Sequence, residues 1–463
     1  MNYIHADANE QIQFLKLPVK LPGFENTETK IAIAKSGREV IDFKGSLELT
    51  DEERICDCCG NRMHINDSRR NYIRHLNFGN LLSCLEFKCY QLKCPVCGKT
   101  KTQEIPFKAP RHRITVELYE YTRGLLSSNT YTLKQVSEIT GLGKNVVKEI
   151  DKERLKEKYT VDGKTLIKPE APARFLGIDE FKLHDGYRYA THIIDLETGH
   201  VLWIAKGKKK QVVYDFIEHV GHEWMDNVEA VACDMNSDFQ EAFEEKCPHI
   251  QPVFDYFHIV KNFNDNVISA VRKDEQKRLR EEGNEEAAKA LKNTKYILTS
   301  KRETLKKKDS LAGMPYNKGS ELFGLEKVIR KNGNVEKYDE LIRQNKLLFT
   351  ADLVKNKLEL AYSSTNEPEM AAEITDIIDI CDATGNKHFM WFSKLLLNHF
   401  EGIIAHATYG NASAGKIEGI NNKIKTIRRM GYGYPDDEYF FLKIFDMSRK
   451  DYVRNPKSHK ICD

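Results

Sequence analysis

Two short stretches of the sequence, at residues 56–60 and 94–98, share the pattern Cys-x-x-Cys-Gly. In such a turn both thiolates project to one side, and the glycine permits the positive φ angle that closes the turn. Two such turns joined by a hairpin form a tetrahedral site that is typical of a structural zinc ribbon. The sequence therefore predicts a Zn²⁺ site whose ligands are Cys56, Cys59, Cys94 and Cys97.

The sequence between and around the two turns also allows other ligands and other roles for these cysteines. Strand-like runs at 72–78 and 85–92 could supply the hairpin. The ordinary alternative is a set of buried core cysteines, and the rival ligands are Cys58, Cys84, Cys89 and His64. Four thiolates leave no open coordination position, so a zinc ion held in this way stabilises the fold and does not catalyse.

Length, charge and hydropathy narrow the class of protein. The 463 residues suit roughly two to four domains. There are 72 basic and 69 acidic side chains, and the net charge of +3 does not by itself identify a nucleic-acid binder. The sequence contains no apolar run of about 18 residues or more, and its N-terminus lacks the pattern of a signal peptide. We therefore expect a cytoplasmic protein with no membrane partner.

Residues 132–150 contain two helical patterns separated by glycines. Thr132 and Gln135 predict a capping box that begins a helix, and Gly141 and Gly143 predict a tight turn. The inner face of the second helix is expected to carry Leu142, Val146 and Ile150. This arrangement is typical of a helix-turn-helix, whose second helix enters the major groove of DNA, although an ordinary αα-hairpin is the alternative. The outward residues, predicted to contact DNA, are Lys144, Asn145 and Lys148.

From residue 174 the pattern changes to that of an α/β domain. Strand-like runs cover 175–182, 187–195, 200–205, 228–233 and 251–255. Asp179 lies in the first run, and Asp234 ends the fourth. A buried carboxylate costs several kcal/mol unless it is paired or binds a metal. If these two strands are neighbours, both carboxylates project into one site suited to a divalent cation.

The last strong helical pattern, at 416–430, is amphipathic. At about 100° per residue one face carries Ile417, Ile420, Ile424 and Ile427. The stripe beside that face carries Glu418, Asn422, Lys425 and Arg429. A carboxylate for a metal ion and cations for phosphate are what a DNA-cutting site requires. The alternative is a solvated face with salt-bridge spacing.

Asp255 and His258 stand at a predicted junction between a strand and a helix. They could line the same site, but we favour a second interpretation, in which Asp255 caps the helix. Residues 270–310 are dense in Lys, Arg and Glu, and we expect a solvated helix with opposite charges along it.

Four segments of the chain resemble the ISL3 family of insertion-sequence transposases. The paired cysteine turns resemble the zinc finger of that family. Residues 177–181, with 189–191 and Asp195, resemble its first catalytic block, and 234–235 with 255–258 resemble the second. Residues 411–425 and 431–434 resemble the third, which is the most specific block.

This resemblance implies a DDE transposase with an α/β RNase H-like catalytic domain and a helical insertion at about 265–405. The implied catalytic and metal-binding triad is Asp179, Asp234 and Glu418. These acids would hold two Mg²⁺ ions about 3.5–4 Å apart, for which Mn²⁺ can substitute. The zinc ribbon and the helix-turn-helix would bind the terminal inverted repeats, and the freed 3′-OH would attack target DNA.

The implied partner is double-stranded DNA, both transposon ends and target, with Lys425 and Arg429 contacting phosphates beside the cut. Joining two ends favours a homodimer or a larger assembly, associated with the nucleoid when bound. The expected division is an N-terminal segment of unassigned role (1–49), a zinc ribbon (50–105), a helix-turn-helix region (106–160), a catalytic domain (172–450) and a C-terminal tail (451–463).

Three alternatives compete with this interpretation. The first is a transposase-derived protein that binds DNA without catalysis, and the three acids in their blocks argue against it. The second is an RNase H-like nuclease without strand transfer, which would need no module for recognising DNA ends. The third is a zinc-stabilised adaptor that binds protein.

Overall fold

The computed structural model describes residues 20–33, 37–186, 188–235, 237–311, 313–320, 322, 324–329, 333–410, 415–431 and 433–449. The expected tail at 451–463, most of the turn before the last block (411–414) and the start of the second predicted strand at Tyr187 lie outside these residues. The chain forms two compact units. Of the described residues, the first unit contains those up to Ile167 and Thr426–Met447, and the second contains those of Lys168–Lys425 with Ser448 and Arg449.

The N-terminal part of the chain forms strands and then helices. The strands are β1 (Phe24–Ile33), β2 (Glu39–Leu47), β3 (His64–Phe78), β4 (Leu81–Lys93) and β5 (Thr100–Thr102). The helices are α1 (Val116–Ser127), α2 (Leu133–Thr140) and α3 (Lys144–Tyr159).

The middle of the chain alternates strands and helices. Its elements are β6 (Phe175–His184), β7 (Arg188–Asp195), β8 (Val201–Lys206), α4 (Lys210–Val220), α5 (His222–Met225), β9 (Ala230–Cys233), α6 (Ser237–Lys246), β10 (Gln251–Phe254) and α7 (Tyr256–Asn262), and α7 continues into a π-helical turn at Phe263–Ile268.

The remaining chain is mostly helical. Its elements are α8 (Ser269–Glu281), α9 (Glu285–Ala290), α10 (Lys295–Thr299), α11 (Arg302–Asp309), β11 (Pro315–Ser320), β12 (Gly324–Ile329), α12 (Asn334–Gln344), α13 (Lys346–Ala361), α14 (Glu367–Ala383), α15 (Lys387–Asn398), α16 (Phe400–Ile404), α17 (His406–Tyr409), α18 (Gly415–Met430) and α19 (Asp437–Ser448). The region expected to be a helical insertion thus also contains the antiparallel strand pair β11–β12.

The first unit contains a five-stranded sheet in the order β1-β2-β4-β3, with β5 paired to β4. The segment without an assigned role therefore contributes two strands, β1 and β2, to the same sheet as the long β3–β4 hairpin. Apolar residues of these strands, among them Phe43, Leu85 and Phe87, pack into one buried cluster with Phe107. The members of the cluster recur at every second residue of β2 and β4, so one face of each strand supplies this core.

Helices α1, α2 and α3 pack around a second buried cluster in the first unit. Val136 of α2 and Val147 and Ile150 of α3 are all 0% exposed. On β3, Arg74 donates to the Thr140 carbonyl at 3.2 Å, and Asn77 donates to the Ile139 carbonyl at 2.9 Å. These bonds satisfy carbonyls at the C-terminus of α2 and hold the helices on the sheet.

Helix α19 also belongs to the first unit as far as Met447, although the sequence-based division placed it in the catalytic domain. Its Asp446 is 0% exposed and accepts hydrogen bonds from Arg154, Lys158 and Tyr159, at 3.3, 3.0 and 2.8 Å. Tyr439 donates to Asp151 at 2.6 Å. Buried carboxylates matched with donors in this way fix α19 on α3.

The second unit contains a five-stranded sheet in the order β10-β9-β6-β7-β8. Strands β6, β7 and β8 are antiparallel neighbours, and β9 and β10 run parallel to β6. One face carries Leu176, Ile178 and Val231, which pack into the largest core together with Phe216 of α4 and Phe243 of α6. Helices then cover this face, so Asp179 in the middle of β6 and Asp234 just after β9 are presented on the other.

Candidate functional site

The four cysteines of the two Cys-x-x-Cys-Gly turns, which we call knuckles, lie close together in the first unit. One ligand atom from each of Cys56, Cys59, Cys94 and Cys97 lies within 4.8 Å of the others. The Sγ atoms of Cys56 and Cys97 are 3.6 Å apart, and those of Cys59 and Cys94 are 3.4 Å apart. A zinc ion bonded to four sulfurs at about 2.3 Å would hold them about 3.8 Å apart, so the cluster is compatible with zinc.

The two knuckles repeat the same local structure. The backbone N–H of Gly60 donates to the Cys56 carbonyl at 2.8 Å, and that of Gly98 donates to the Cys94 carbonyl at 3.1 Å. The φ angles of these glycines are 69° and 71°, as the motif requires. Hydrogen bonds from Asn61 are the main cause that lowers the pKa of the Cys59 thiol to about 6, which favours the thiolate that a metal binds.

Helices α2 and α3 have the predicted ends. Thr132 and Gln135 form the capping box, and Gly141 ends α2 in the left-handed conformation at φ 70°. A Cβ at Gly141 would lie 2.5 Å from Leu82 Cδ2, so the position also excludes larger side chains. Lys144 and Asn145 are exposed at the start of α3, as expected.

Lys148 differs from the expectation that it points freely outward. Its Nζ lies 2.9 Å from a carboxylate oxygen of Asp436, and it contacts the ring of Tyr439. Lys152 lies 3.1 Å from the same carboxylate. Burial and then the hydrogen bond from Lys148 are the largest influences on Asp436, and the net effect lowers its pKa to about 2. Part of the positive charge of α3 is therefore neutralised by the segment before α19.

In the second unit, Asp179 and Asp234 lie at matching positions on neighbouring strands. The parallel pairing of β6 with β9 aligns Gly177 with Ala232, two residues before each acid. Side chains two residues apart share one face of a strand, so both carboxylates project from the face that carries Gly177. The strands are neighbours, as the sequence argument required.

Helix α18 packs against this face at Gly177. A Cβ at Gly177 would lie 2.8 Å from Ile417 Cγ1, so glycine is needed for the helix to approach the strand. The four isoleucines of the predicted apolar face are buried, with exposures of 3–6%. Four residues after Ile417, the side chain of Asn421 donates to Asp179 Oδ2 at 2.6 Å. The helix is thus anchored beside the first acid.

Glu418 is exposed on α18, one residue after Ile417 and three before Asn421. Residues three apart are neighbours on a helix surface, so Glu418 is next to the side chain that binds Asp179. Lys425 and Arg429 are also exposed on α18. The helix therefore presents the acid and the two cations in the order that the sequence predicted.

His258 of α7 binds the second acid. Its Nδ1 lies 2.8 Å from Asp234 Oδ1. Although burial favours the neutral ring, the hydrogen bond to Asp234 raises the pKa of His258 above its ordinary value. Asp255 accepts from the Phe257 N–H at 3.1 Å and caps α7. The predicted cap is therefore confirmed, and His258 contacts Asp234.

A second histidine lies beside Asp179 on the neighbouring strand. His192 of β7 pairs with Asp179 across the strands and is 0% exposed. Burial lowers the pKa of His192 to about 4, more than the charge of Asp179 raises it. The ring is therefore neutral at physiological pH and adds no charge beside the carboxylate.

Among the described residues, the cysteine cluster is the one group of three or more possible ligands that lie within 4.8 Å of each other. The three carboxylates do not form such a group. Like charges repel, and here Asp179 is held by Asn421 while Asp234 is held by His258. A two-metal site also spreads its ligands more widely, since the ions lie about 3.5–4 Å apart.

Sequence reasoning missed Asn421 and the acids that pair with α3. Asn421 projects between Ile417 and Glu418 on a helical wheel, so the boundary between the apolar face and the acidic stripe could have identified it. No local pattern links Asp436 to Lys148, because their contact depends on tertiary structure.

Within the described part of the chain, no helix has the length and apolar character needed to cross a membrane.

The ISL3 family model, described as a transposase, matches residues 176–444, which is more than half of the chain.

The transposase for insertion sequence element IS1001 of Bordetella parapertussis is 26% identical over 400 residues, covering 86% of this chain and 89% of that protein. The transposase for insertion sequence element IS1557 of Mycobacterium tuberculosis (strain CDC 1551 / Oshkosh) is 25% identical over 209 residues, 45% of each chain. The family model covers β6, β9 and α18, and together with the IS1001 relative it leads to one conclusion: the chain belongs to the ISL3 family of transposases.

Proposed function

We propose that this protein is a DDE transposase that cleaves DNA at the ends of its insertion sequence and transfers the freed strands to target DNA. The observation that supports this most directly is that Asp179 of β6 and Asp234, the residue after β9, each follow by two residues the paired Gly177 and Ala232 of these parallel strands. Beside them, α18 is anchored through Asn421 and presents Glu418. These are the three acids of the proposed triad.

We assign the sheet of the second unit to the RNase H-like class. Three antiparallel strands, β6, β7 and β8, are extended by two parallel ones, β9 and β10, in the order β10-β9-β6-β7-β8. Ligand and catalytic groups in open α/β sheets lie beyond the carboxyl ends of the strands, and Asp234 follows β9 immediately. The helical region between Asp234 and Glu418 is the insertion that the family resemblance implies.

The donor set suits divalent cations. Hard carboxylate oxygens are the ligands that Mg²⁺ and Mn²⁺ prefer, and Asp179, Asp234 and Glu418 supply them. When bound, such ions activate water and stabilise charge on the attacked phosphate. Asn421 orients the Asp179 carboxylate, and His258 orients that of Asp234. Lys425 and Arg429 are exposed along α18, where they can bind phosphates beside the cut.

The first unit is the proposed module for recognising DNA ends. Helices α2 and α3 meet at the three-residue turn 141–143, and we assign them to a helix-turn-helix. Lys144 and Asn145 are its exposed candidates for DNA contact. The cysteine cluster, as a Zn²⁺ site, stabilises the β3–β4 hairpin that supports these helices. Cutting and joining two ends favours a homodimer or a larger assembly on DNA.

The test is cleavage of a labelled duplex that carries the inverted repeat flanking the coding sequence, in Mg²⁺ or Mn²⁺. We expect the wild-type protein to cut at the repeat end only with metal present. The Asp234→Asn variant should bind the same DNA and leave it intact. A matched control is Asp185→Asn, because Asp185 follows β6 and is fully solvent-exposed. It should cleave like wild type.

Binding without cleavage under any metal would favour the alternative, a transposase-derived DNA-binding protein without catalysis. Equal cleavage by wild type and Asp234→Asn would show that the acid pair is not the catalytic centre.

A further inference from the structure

We propose that a pocket beside the acid pair receives one unpaired base of the DNA at the cut, with Phe257 as its stacking platform. The inference rests on the proposed function, because it takes DNA as the substrate of this site.

The pocket has a volume of about 320 Å³. It lies between α7 with its π-helical turn and α10, and its walls include Tyr256, Phe257, Val260, Lys261, Asn264 and Lys295. Ligand sites in proteins range from about 300 to 1,000 Å³, so the space suits one small, flat group.

Phe257 gives the pocket an aromatic surface open to solvent. Its side chain is 59% exposed, and its ring contacts that of His258 edge to face at 5.5 Å. Lys261 is exposed one turn further along α7, and Lys295 stands on the opposite wall, 2.9 Å from Asp265. An aromatic surface beside cations is the combination with which proteins bind unstacked bases and their phosphates.

The wall also offers a polar group that lacks a partner. The side-chain oxygen of Asn264 is buried and accepts no hydrogen bond from any described residue. An unsatisfied buried acceptor is unfavourable, and a rotation of the Asn264 side chain toward the pocket would let the ring N–H or the amino group of a base donate to it. Asn264 lies in the π-helical turn Phe263–Ile268, and such turns occur frequently at functional sites.

The location of the pocket next to His258 favours a base of the DNA at the cut as its ligand. Phe257 immediately precedes His258, whose Nδ1 is 2.8 Å from Asp234 Oδ1. A base in the pocket would therefore belong to a nucleotide beside the cleaved bond. Taking a base out of the duplex costs a few kcal/mol of stacking and pairing, so a base displaced at the cut needs another surface on which to stack.

The experiment measures single-turnover cleavage of inverted-repeat duplexes, each lacking one base at a position near the cut. Three variants are compared with wild type. Phe257→Ala removes the platform and Phe257→Trp retains a stacking surface. The control is Phe349→Ala, which truncates a phenylalanine that is 56% exposed on α13 of the same unit.

We expect Phe257→Ala to cleave intact DNA about 10-fold more slowly than wild type, because stacking on one aromatic side chain contributes on this scale. At one position, removal of the base should slow the wild type by a similar factor and should not slow Phe257→Ala further. Phe257→Trp should recover most of the rate. 5-Iododeoxyuridine at that position should cross-link to the Phe257 peptide on irradiation.

Two results would overturn the proposal: Phe257→Ala cleaving intact DNA as fast as Phe349→Ala, or base removal slowing both proteins alike at every position. Both leave wild-type cleavage intact, so they contradict the pocket and not the proposed function. A wild type that cuts no repeat DNA with metal present would contradict both.

Discussion

Removing the carboxylate of Asp446 should destabilise the first unit strongly. Asp446 is 0% exposed and accepts hydrogen bonds from Asn129 at 2.9 Å and from Tyr159 at 2.8 Å. It also binds Arg154, whose side chain is 7% exposed, and Lys158. Asp446→Ala leaves four donors without their acceptor, at least one of them in a nearly water-free environment.

The magnitude follows from this burial. Breaking a buried ion pair on one side costs about 3–5 kcal/mol, because the partner charge stays buried. For a unit of this size, each kcal/mol of lost stability lowers the midpoint temperature of thermal unfolding by about 2–4 °C. The first unit of Asp446→Ala should therefore unfold roughly 6–20 °C below wild type. Arg154 keeps a second partner, Asp151, at 2.7 Å, which favours the lower part of this range.

Differential scanning calorimetry of the full chain would measure the effect, and hydrogen exchange would assign the transition to α3 and α19. The control is Glu149→Ala, since Glu149 is an exposed acid on α3 of the same unit. A midpoint for Asp446→Ala within a degree or two of the control would refute the claim that α19 is held by this carboxylate.

Four further predictions address pH, packing, DNA contact and metal. Asp446 has a folded pKa well below its ordinary value, where burial, the largest influence, is outweighed by hydrogen bonds and charges from Lys158 and its neighbours. The ionised carboxylate therefore stabilises the first unit above its unfolded pKa of about 3.9, and this effect is lost as the pH falls below that value. The midpoint of thermal unfolding of the first unit should drop between about pH 5 and about pH 2. Asp446→Asn should show a smaller drop. Gly177→Ala places a Cβ 2.8 Å from Ile417 and should slow cleavage while DNA binding persists, with a stability cost of about 1–3 kcal/mol; unchanged cleavage would mean that α18 tolerates displacement from β6. In affinity titrations over a range of salt concentrations, Lys144→Ala should weaken binding and lower the salt slope by about one, whereas Lys148→Ala should do less because Asp436 already neutralises it; equal effects would contradict that pairing. A chelator should remove about one zinc ion per chain, measured with a chromogenic indicator, and should lower the midpoint of thermal unfolding of the first unit. Cys59→Ser should lose metal in the same assay. An unchanged midpoint after metal loss would show that the cluster is dispensable for folding.

Much of the local structure could be predicted from the sequence because its causes are local. The capping box at Thr132 and Gln135 and the knuckle glycines are set by contacts within a few residues. The apolar face of α18 was equally visible, because helical periodicity decides which side chains are buried. The positions of the five strands of the second sheet followed from their continuous or alternating apolar runs.

Contacts between distant segments could not be predicted in the same way. The bond from Asn421 to Asp179 joins a helix to a strand far away in sequence, and an asparagine on a helix has no distinctive pattern. The pairing of Lys148 with Asp436 also depends on where α19 docks. The strands β11 and β12 were missed because the charged residues around them favour a solvated helix over a sheet.

The docking of α19 on α3 has a consequence for the synthesis of the chain. Ribosomes release the N-terminal residues first, at about 5–20 residues per second, and domains begin to fold as they emerge. Residues 168–425 must be translated before α19 appears, which takes roughly 10–50 s. During that interval Asp151 and Arg154 lack their partners on α19, so the N-terminal unit stays incomplete. Under the proposed function, a nascent chain, or one ended by a premature stop before residue 437, would therefore be a poor competitor for DNA ends against the finished protein.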